Sequence, residues 1–314
     1  MTIRIEKPGL QTTVQAAPFF GHRHVGMPAA GAADCLSSCL ANRLVGKIPT
    51  AATLEVTLDA MEFTVRETCT IAVTGAAEYV KVNDEAATLH KSFRLTAGNK
   101  VRIGPARTGC RSYVAFAGDP SWNPVLGSWS TCLQAGLGGY QGRGLRAGDI
   151  LEFSANNFPS DALETPVQFI PNLSGHHLLR VTAGPEFTKL EEDSRHRLFS
   201  NKWQSGQRSS RMGTMLAGTP LDLQDHNTMP SAAVFPGTIQ CPPDGAPFLL
   251  GPDAQTTGGY PRVAQVIRAD RHLIGQLRPG DRVQLVLTSP EKAQEIYRQK
   301  LKLLQPWLGD ISLW

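Results

Sequence analysis

Apolar and polar residues alternate with a period of two through much of the chain. Leu54-Glu55-Val56-Thr57-Leu58, Met61-Glu62-Phe63-Thr64-Val65 and Tyr79-Val80-Lys81-Val82 each place their apolar side chains on one face, as a half-buried strand requires. Residues 69–73 and 112–116 are more continuously apolar and predict strands covered on both faces. The 30 glycines and 22 prolines break these runs at short intervals, the spacing of a β-barrel or sandwich. Helical periodicity emerges in three places. Asp34 is a natural N-cap before the stripe Leu36, Leu40, Leu44, with Gly46 as terminator. Residues 190–198 form a second, highly charged candidate. Ser289 caps a third, with Pro290 in the first helical position and an amphipathic run over 291–304.

Two pairs of segments echo one another. Leu95-Thr96-Ala97-Gly98-Asn99-Lys100-Val101-Arg102-Ile103 is similar to Leu277-Arg278-Pro279-Gly280-Asp281-Arg282-Val283-Gln284-Leu285, each a Gly-centred turn feeding an alternating strand. Ile71-Ala72-Val73-Thr74-Gly75 parallels Leu179-Arg180-Val181-Thr182-Ala183-Gly184 in the same order. The repetition predicts two related β-domains. Residues 154–174, with Asn156-Asn157 and three prolines, read as the linker between them. The expected division is 1–160 and 175–314.

Composition narrows the function classes. The chain has 314 residues, 41% hydrophobic and 18% charged, an ordinary globular mixture with ample core for two domains. A formal charge of +4 without blocks of like charge gives no footprint for nucleic acid or an acidic membrane. The N-terminus lacks the apolar core of a signal peptide, no run reaches membrane-spanning length, and the six cysteines show no Cys-x-x-Cys pair. Reduced thiols in the cytoplasm are the expectation. Cys35 and Cys39 lie on one helix face and suit core packing better than a metal, and no metal site is expected.

The most informative stretch is Asp253-Ala254-Gln255-Thr256-Thr257-Gly258-Gly259-Tyr260-Pro261, a polar segment between two apolar runs. An acid, an amide and two hydroxyls supply donors and acceptors within five residues, and Gly258-Gly259 lets backbone approach a ligand. Tyr260 adds a ring with a polar tip. A hydrogen-bonded turn and a ligand loop both accommodate this composition. The segment resembles a hallmark of the allophanate hydrolase subunit 2 family. That family includes biotin-dependent carboxyltransferase domains, the C component of the bacterial 5-oxoprolinase, and an antagonist of a sensor-kinase inhibitor.

Further stretches support the resemblance. Ser209-Ser210-Arg211-Met212-Gly213 is similar to the family's Asn-Arg-Met-Gly element, with Ser210 in place of Asn; the planar fork of Arg211 suits a carboxylate or carbonyl ligand. Gly127-Ser128-Trp129-Ser130-Thr131 and Gly136-Leu137-Gly138-Gly139-Tyr140-Gln141-Gly142-Arg143 also match. The second leads into a strand rather than a helix, so it reads as a backbone bend and not a phosphate cradle. Arg143 is then either a ligand contact or a structural anchor. Pro8-Gly9-Leu10-Gln11-Thr12-Thr13-Val14-Gln15 is similar to the family opening, which adds Gln15 to the substrate-binding candidates. Ala16 and Phe19 stand where members carry Asp and Arg, Lys47 where Asn is common, and Gly118-Asp119 replaces Gly-Gly. These departures fall where the N-terminal domain is expected to face a cleft. His22, just after the altered turn, is a candidate base; an exposed His-Arg-His turn is the plainer reading.

The resemblance implies a mostly β fold with two tandem cyclophilin-like β-barrel domains and a few helices. It implies a subunit of a multi-component enzyme, either an ATP-dependent amide hydrolase that opens 5-oxoproline or a biotin-dependent carboxyltransferase acting on a urea-like nitrogen. The partner would be an allophanate hydrolase subunit 1-type protein, together with a LamB/YcsF-type subunit or a biotin carboxylase and carrier. Neither a P-loop nor a biotinyl-lysine surround is present, so ATP or biotin would be handled by partner chains, with none bound covalently here. Gln255, Thr256, Thr257 and His22 are the catalytic candidates. Asp253, Arg211, Gly258, Gly259, Tyr260, Arg143 and Gln15 are the binding candidates for a small amide. The alternatives are a non-enzymatic regulatory protein and a stand-alone binder without chemistry.

Overall fold

The computed structural model describes residues 1–154, 162–225 and 229–314. Asn156-Asn157 of the expected linker lies outside them. The chain divides into two compact units. One comprises Met1–Phe19, Ala30–Leu173 and Trp307–Ile311; the other comprises Phe20–Ala29, Ser174–Pro306 and Ser312–Trp314.

In the first unit the strands are β1 (Thr2–Lys7), β2 (Gln11–Gln15), β3 (Thr53–Thr57), β4 (Met61–Val65), β5 (Cys69–Gly75), β6 (Val80–Val82) and β7 (Glu85–Ala87). They continue with β8 (Ser92–Leu95), β9 (Lys100–Ile103), β10 (Arg111–Phe116), β11 (Thr131–Cys132), β12 (Leu137–Gly138) and β13 (Ile150–Glu152). A six-stranded sheet runs β13-β1-β4-β9-β6-β7 and a five-stranded sheet runs β2-β3-β10-β5-β8. Their inward residues, among them Ile3, Ile5, Phe63 and Val101 from one sheet and Leu54, Ile71, Val73 and Val114 from the other, form a single core. The expected period-two strands fall at β3, β4 and β6, but β3, expected half-buried, is buried on both faces; the continuously apolar runs at β5 and β10 are buried throughout or nearly so.

Helix α1 (Cys35–Leu44) starts where the capping signal predicts. The Asp34 carboxylate accepts from the Ser37 N–H at 3.0 Å and from the Ser37 hydroxyl at 2.6 Å. Cys35 and Cys39 are both buried in this helix, and burial pushes the Cys39 thiol well up.

The second unit contains β14 (His176–Ala183), β15 (Trp203–Ser210), β16 (Gly213–Ala217), β17 (Ala232–Ala233), β18 (Thr238–Gln240) and β19 (Phe248–Leu250). It continues with β20 (Thr257–Gly258), β21 (Arg262–Val266) and β22 (Arg282–Leu287), and carries helices α2 (Glu192–Ser200) and α3 (Arg271–Ile274). Helix α4 (Pro290–Leu308) follows β22 and extends past the expected 291–304. Strands β14-β21-β18-β19-β16-β15-β22 close into a barrel around Leu179, Val181, Trp203, Ile239 and Leu285. Strands β17 and β20 form a separate two-stranded ribbon. Among the described residues no helix is long and apolar enough to cross a membrane.

Two tandem barrels are expected from the sequence, and the strand pairing closes only the second. In the first unit the edge strands β7 and β8 stay apart, and a groove of about 710 Å³ lined by residues of β6, β7 and β8 separates them. Among the described residues no ladder spans that gap, and they form two sheets packed on one core.

The sequence echo has a structural counterpart. At Thr96–Asn99 the Asn99 side chain accepts from the Thr96 N–H at 2.8 Å; at Arg278–Asp281 the Asp281 carboxylate accepts from the Arg278 N–H at 2.9 Å. Gly98 and Gly280 hold φ of 89° and 94°, which a side chain would strain. Arg146–Asp149 repeats the device a third time, with a bond of 2.7 Å.

Replacing Asp34 by Ala should destabilise the first unit by about 1–2 kcal/mol in urea unfolding, because the cap is buried and serves two donors. His90 gives a pH-dependent test. Burial drives its imidazole from 6.5 down to about 4. Between those values the unfolded chain takes up a proton that the folded chain refuses. Stability should therefore be intact above pH 6.5 and fall as pH drops toward 4, by up to about 3 kcal/mol. His90→Asn keeps a residue tolerant of the observed φ of 58° and should remove that part of the acid dependence, read as the wild-type minus variant difference in unfolding free energy.

Candidate functional site

The loop from Asp253 to Pro261 joins β19 to β21 in the second unit, with β20 inside it. Its first end is locked to the β15–β16 turn. The Arg211 guanidinium donates from Nε to Asp253 Oδ2 and from Nη2 to Asp253 Oδ1, both at 2.8 Å, with the two side chains only 3% and 2% exposed. The backbone repeats the link: Asp253 N–H donates to Arg211 O at 3.0 Å and Gly251 N–H to Met212 O at 2.8 Å. A Cβ on Gly251 would lie 2.4 Å from Arg211 O, so only glycine lets the two segments come this close.

A second guanidinium holds the other end. Arg262 Nε and Nη2 grip Glu186 at 2.7 and 2.6 Å, and Arg262 Nη1 donates to Ala233 O at 2.8 Å. This pair raises the Arg262 pKa and holds the Glu186 carboxyl below its ordinary range, chiefly through the hydrogen bonds between them. Between the two clamps the loop pairs with β17, Ala233 opposite Thr257 and Ala232 opposite Gly258, while Val234 N–H donates to Thr256 O at 3.1 Å.

The side chains in this span form a short polar relay. Gln255 Nε2 donates to Gln240 Oε1 at 3.3 Å, and Gln240 Nε2 donates to Tyr260 O at 3.2 Å. A Cβ at Gly258 would meet Gln240 Nε2 at 2.6 Å, which explains glycine there without any unusual φ. Among the described residues the hydroxyls of Thr256, Thr257 and Tyr260 have no hydrogen-bond partner. Thr257 and Tyr260 are exposed and Thr256 and Gln255 half-buried. The loop thus presents an amide, two hydroxyls and a ring on a backbone fixed at both ends, an arrangement that can bind a carbonyl or amide group.

Eight of the candidates therefore come together: Asp253, Arg211, Gln255, Thr256, Thr257, Gly258, Gly259 and Tyr260. The sequence suggests that Arg211 receives a ligand's carboxylate; the carboxylate it holds is that of Asp253, and the pair shapes the loop from beneath. His22 belongs to the same unit, in the Phe20–Ala29 segment, and its carbonyl accepts from the N–H groups of Val25 and Met27. The neighbouring Arg23 makes the contact with the barrel. Its Nη2 donates to Val234 O, and its guanidinium lies over the Phe235 ring at 5.1 Å.

Arg143 and Gln15 belong to the first unit. Arg143 grips Asp149 at 2.7 and 2.8 Å, a pairing that raises the arginine pKa and lowers that of the aspartate, the contact a structural anchor makes. Gln15 Nε2 donates to Thr13 Oγ1 at 3.0 Å and Thr131 O at 3.1 Å inside the core. The Gly136–Gly142 stretch is a tight bend: a Cβ at Gly139 would sit 1.8 Å from Thr131 Oγ1 and one at Gly142 1.9 Å from Gly136 O. Only glycine fits at these two positions.

The departures from the family pattern are internally consistent. Lys47 and Asp119, two of the unusual residues, pair at 2.9 Å, and Lys47 also donates to Gly118 O at 2.9 Å. Burial lowers the Lys47 pKa and Asp119 opposes that shift. Phe19 is 1% exposed, its Cζ 3.1 Å from where a Cβ on Gly138 would be, and Ala16 N–H donates to Ser130 Oγ at 2.9 Å. The polar pair expected at these positions has become packed core.

Gln240, Arg262, Glu186 and Arg23 are not identified by the sequence. Gln240 carries a usable signal, a polar residue between the core residues Ile239 and Cys241 that is itself buried. The other three are ordinary surface-type charges until the fold brings their partners to them.

With this architecture in hand, comparison with known proteins is direct. Residues 25–287 match the family model described as carboxyltransferase domain, subdomain A and B, and the chain belongs to that family. It is 34% identical over 291 residues to the C component of the 5-oxoprolinase of Escherichia coli (strain K12), covering 93% of both chains. It is 31% identical over 320 residues to the urea amidolyase of Lachancea kluyveri, covering 93% of this chain and 17% of that one. The crystal structure of the K. lactis urea amidolyase superposes with a TM-score of 0.91 at 27% identity, over 98% of this chain and 20% of that chain. The chain is thus similar to nearly the whole of one enzyme subunit and to one portion of a larger enzyme.

Breaking the Arg211–Asp253 pair should be costly because it strands a buried charge. Arg211→Met should lower stability by about 3–5 kcal/mol. The double variant Arg211→Met/Asp253→Leu should lose clearly less than the sum of the single changes. Chemical denaturation of the four proteins gives the coupling.

Proposed function

We propose that this chain is the C-type component of a multi-subunit enzyme that opens the amide of 5-oxoproline, working with an allophanate hydrolase subunit 1-type partner and a LamB/YcsF-type subunit. The observation that carries this reading is the two-way coverage of 93% with a 5-oxoprolinase component, against 17% of the urea amidolyase. The polar loop over 253–261 supports it chemically. Opening a lactam develops negative charge on the carbonyl oxygen, and neutral donors fixed in place before the reaction stabilise that charge without reorganising. In this reading the Gln255 amide and the Thr256 and Thr257 hydroxyls face the carbonyl, Gln240 orients Gln255, and Tyr260 walls the ring. Arg211 and Asp253 hold the loop in that shape.

The Gly136–Gly142 bend leads into a strand rather than a helix and the chain has no P-loop, so in this reading ATP is bound by partner chains. Carboxyl transfer from a carboxybiotin borne on another chain is the runner-up within the family, and its carbonyl chemistry would use the same loop. The packed Ala16 and Phe19 favour one further reading, a regulatory protein that binds its partner without turnover. A cytoplasmic location accords with each.

Co-expression with the two partner subunits and an assay of 5-oxoproline-dependent ATP hydrolysis tests the reading. The assembled complex should turn over, and Gln255→Ala should lower kcat by about 100-fold or more. Full activity in Gln255→Ala would remove the loop from the chemistry. A stable complex inert toward 5-oxoproline and urea-type amides would favour the regulatory role.

A further inference from the structure

Arg23 is placed beside the polar loop by contacts that leave one of its nitrogens unsatisfied. Its Nη2 donates to Val234 O, and Val234 is tied to the loop through its N–H bond of 3.1 Å to Thr256 O. The next residue back, Ala233, is the register partner of Thr257 and accepts from Arg262 Nη1. The guanidinium lies over Phe235, which fixes its plane. Nη1 is buried and has no hydrogen-bond acceptor. No carboxylate among the described residues pairs with this side chain.

A buried guanidinium N–H group without an acceptor is costly, more so than a neutral donor. The two clamps of this site differ from Arg23: Arg211 and Arg262 each have a carboxylate in a two-pronged grip. Arg23 has a carbonyl on one nitrogen and nothing on the other. Burial also lowers its pKa, as expected of a cation lacking its anion.

We propose that Arg23 is a ligand-binding residue of the amide site, and that its Nη1 receives an oxygen of a carboxylate borne by the substrate. This rests on the reading of the 253–261 loop as the amide-binding element. A guanidinium matches a carboxylate in charge and geometry, and neutralisation on binding removes the cost of the buried cation. Arg23 would then select amides that carry a carboxylate over those that do not.

The test compares 5-oxoproline with 2-pyrrolidinone, the same ring without the carboxylate. Binding of each is measured by calorimetry to the chain in complex with its subunit partners, for wild type, Arg23→Met and Arg23→Lys. Wild type should prefer 5-oxoproline by at least about tenfold, the scale of one charged hydrogen bond. Arg23→Met should abolish that preference while leaving 2-pyrrolidinone affinity unchanged, and Arg23→Lys should restore part of it. A merely structural arginine would weaken both lactams alike; that result, or a preference that survives in Arg23→Met, overturns the proposal.

If wild type binds neither lactam, the amide reading fails and Arg23 is judged separately. The nitrogen resonances of its guanidinium are then followed by NMR during titration with acetate, against sodium chloride at equal ionic strength. An acetate-specific shift upholds a carboxylate site without the amide chemistry, and no shift rejects it.

Discussion

The ion pair between Arg211 and Asp253 is the constraint on which the rest of the site depends. Both side chains are almost wholly removed from water, so neither charge is tolerable alone, and each finds its complement only if two segments 42 residues apart in sequence meet. The backbone bonds of Gly251 and Asp253 make the same junction, and a Cβ at Gly251 would prevent it. Everything downstream is geometry set from that point. The loop leaves Asp253, crosses to the β17 ribbon, and is caught again by Arg262 on Glu186. A segment rich in hydroxyls and glycine would sample many conformations if free; held at both ends it presents Gln255, Thr256 and Thr257 in one arrangement.

The first unit shows the complementary strategy, substitution without loss of consistency. In sequence, the positions where the chain departs from its family are isolated exchanges with no evident relation to one another. In the fold they resolve into two packing solutions. Lys47 and Asp119 satisfy one another, with Gly118 O as a further acceptor. Ala16 and Phe19 convert a polar pair into core, and the glycine-rich bend makes room for the Phe19 ring at Gly138. The same bend needs its other glycines where protein atoms already approach.

Much of the architecture is legible in the chain. Period-two alternation locates β3, β4 and β6, continuous apolar runs locate β5 and β10, and the Asp34 and Ser289-Pro290 signals locate the starts of α1 and α4. The glycine-centred turns at Gly98 and Gly280 are legible because a positive φ and a side-chain acceptor one residue later are local requirements. Closure of the sheets is not legible. Nothing in β7 or β8 states whether their edges will meet, since that depends on the curvature of the whole sheet and on what fills the gap between them.

The same division holds at the site. The sequence by itself determined which stretch concentrates polar groups, because an acid, an amide, two hydroxyls and paired glycines within one loop are a property of composition. It also determined the family, through motifs spread along most of the chain. Only the tertiary structure decided what each charge does. Arg211 looks in sequence like a ligand's partner and is Asp253's; Arg143 is Asp149's; Arg23 passes for part of an exposed turn and holds a buried nitrogen with no acceptor. An arginine's role is set by which carboxylate lies within about 3 Å of it, and long-range packing decides that, beyond the reach of any local pattern.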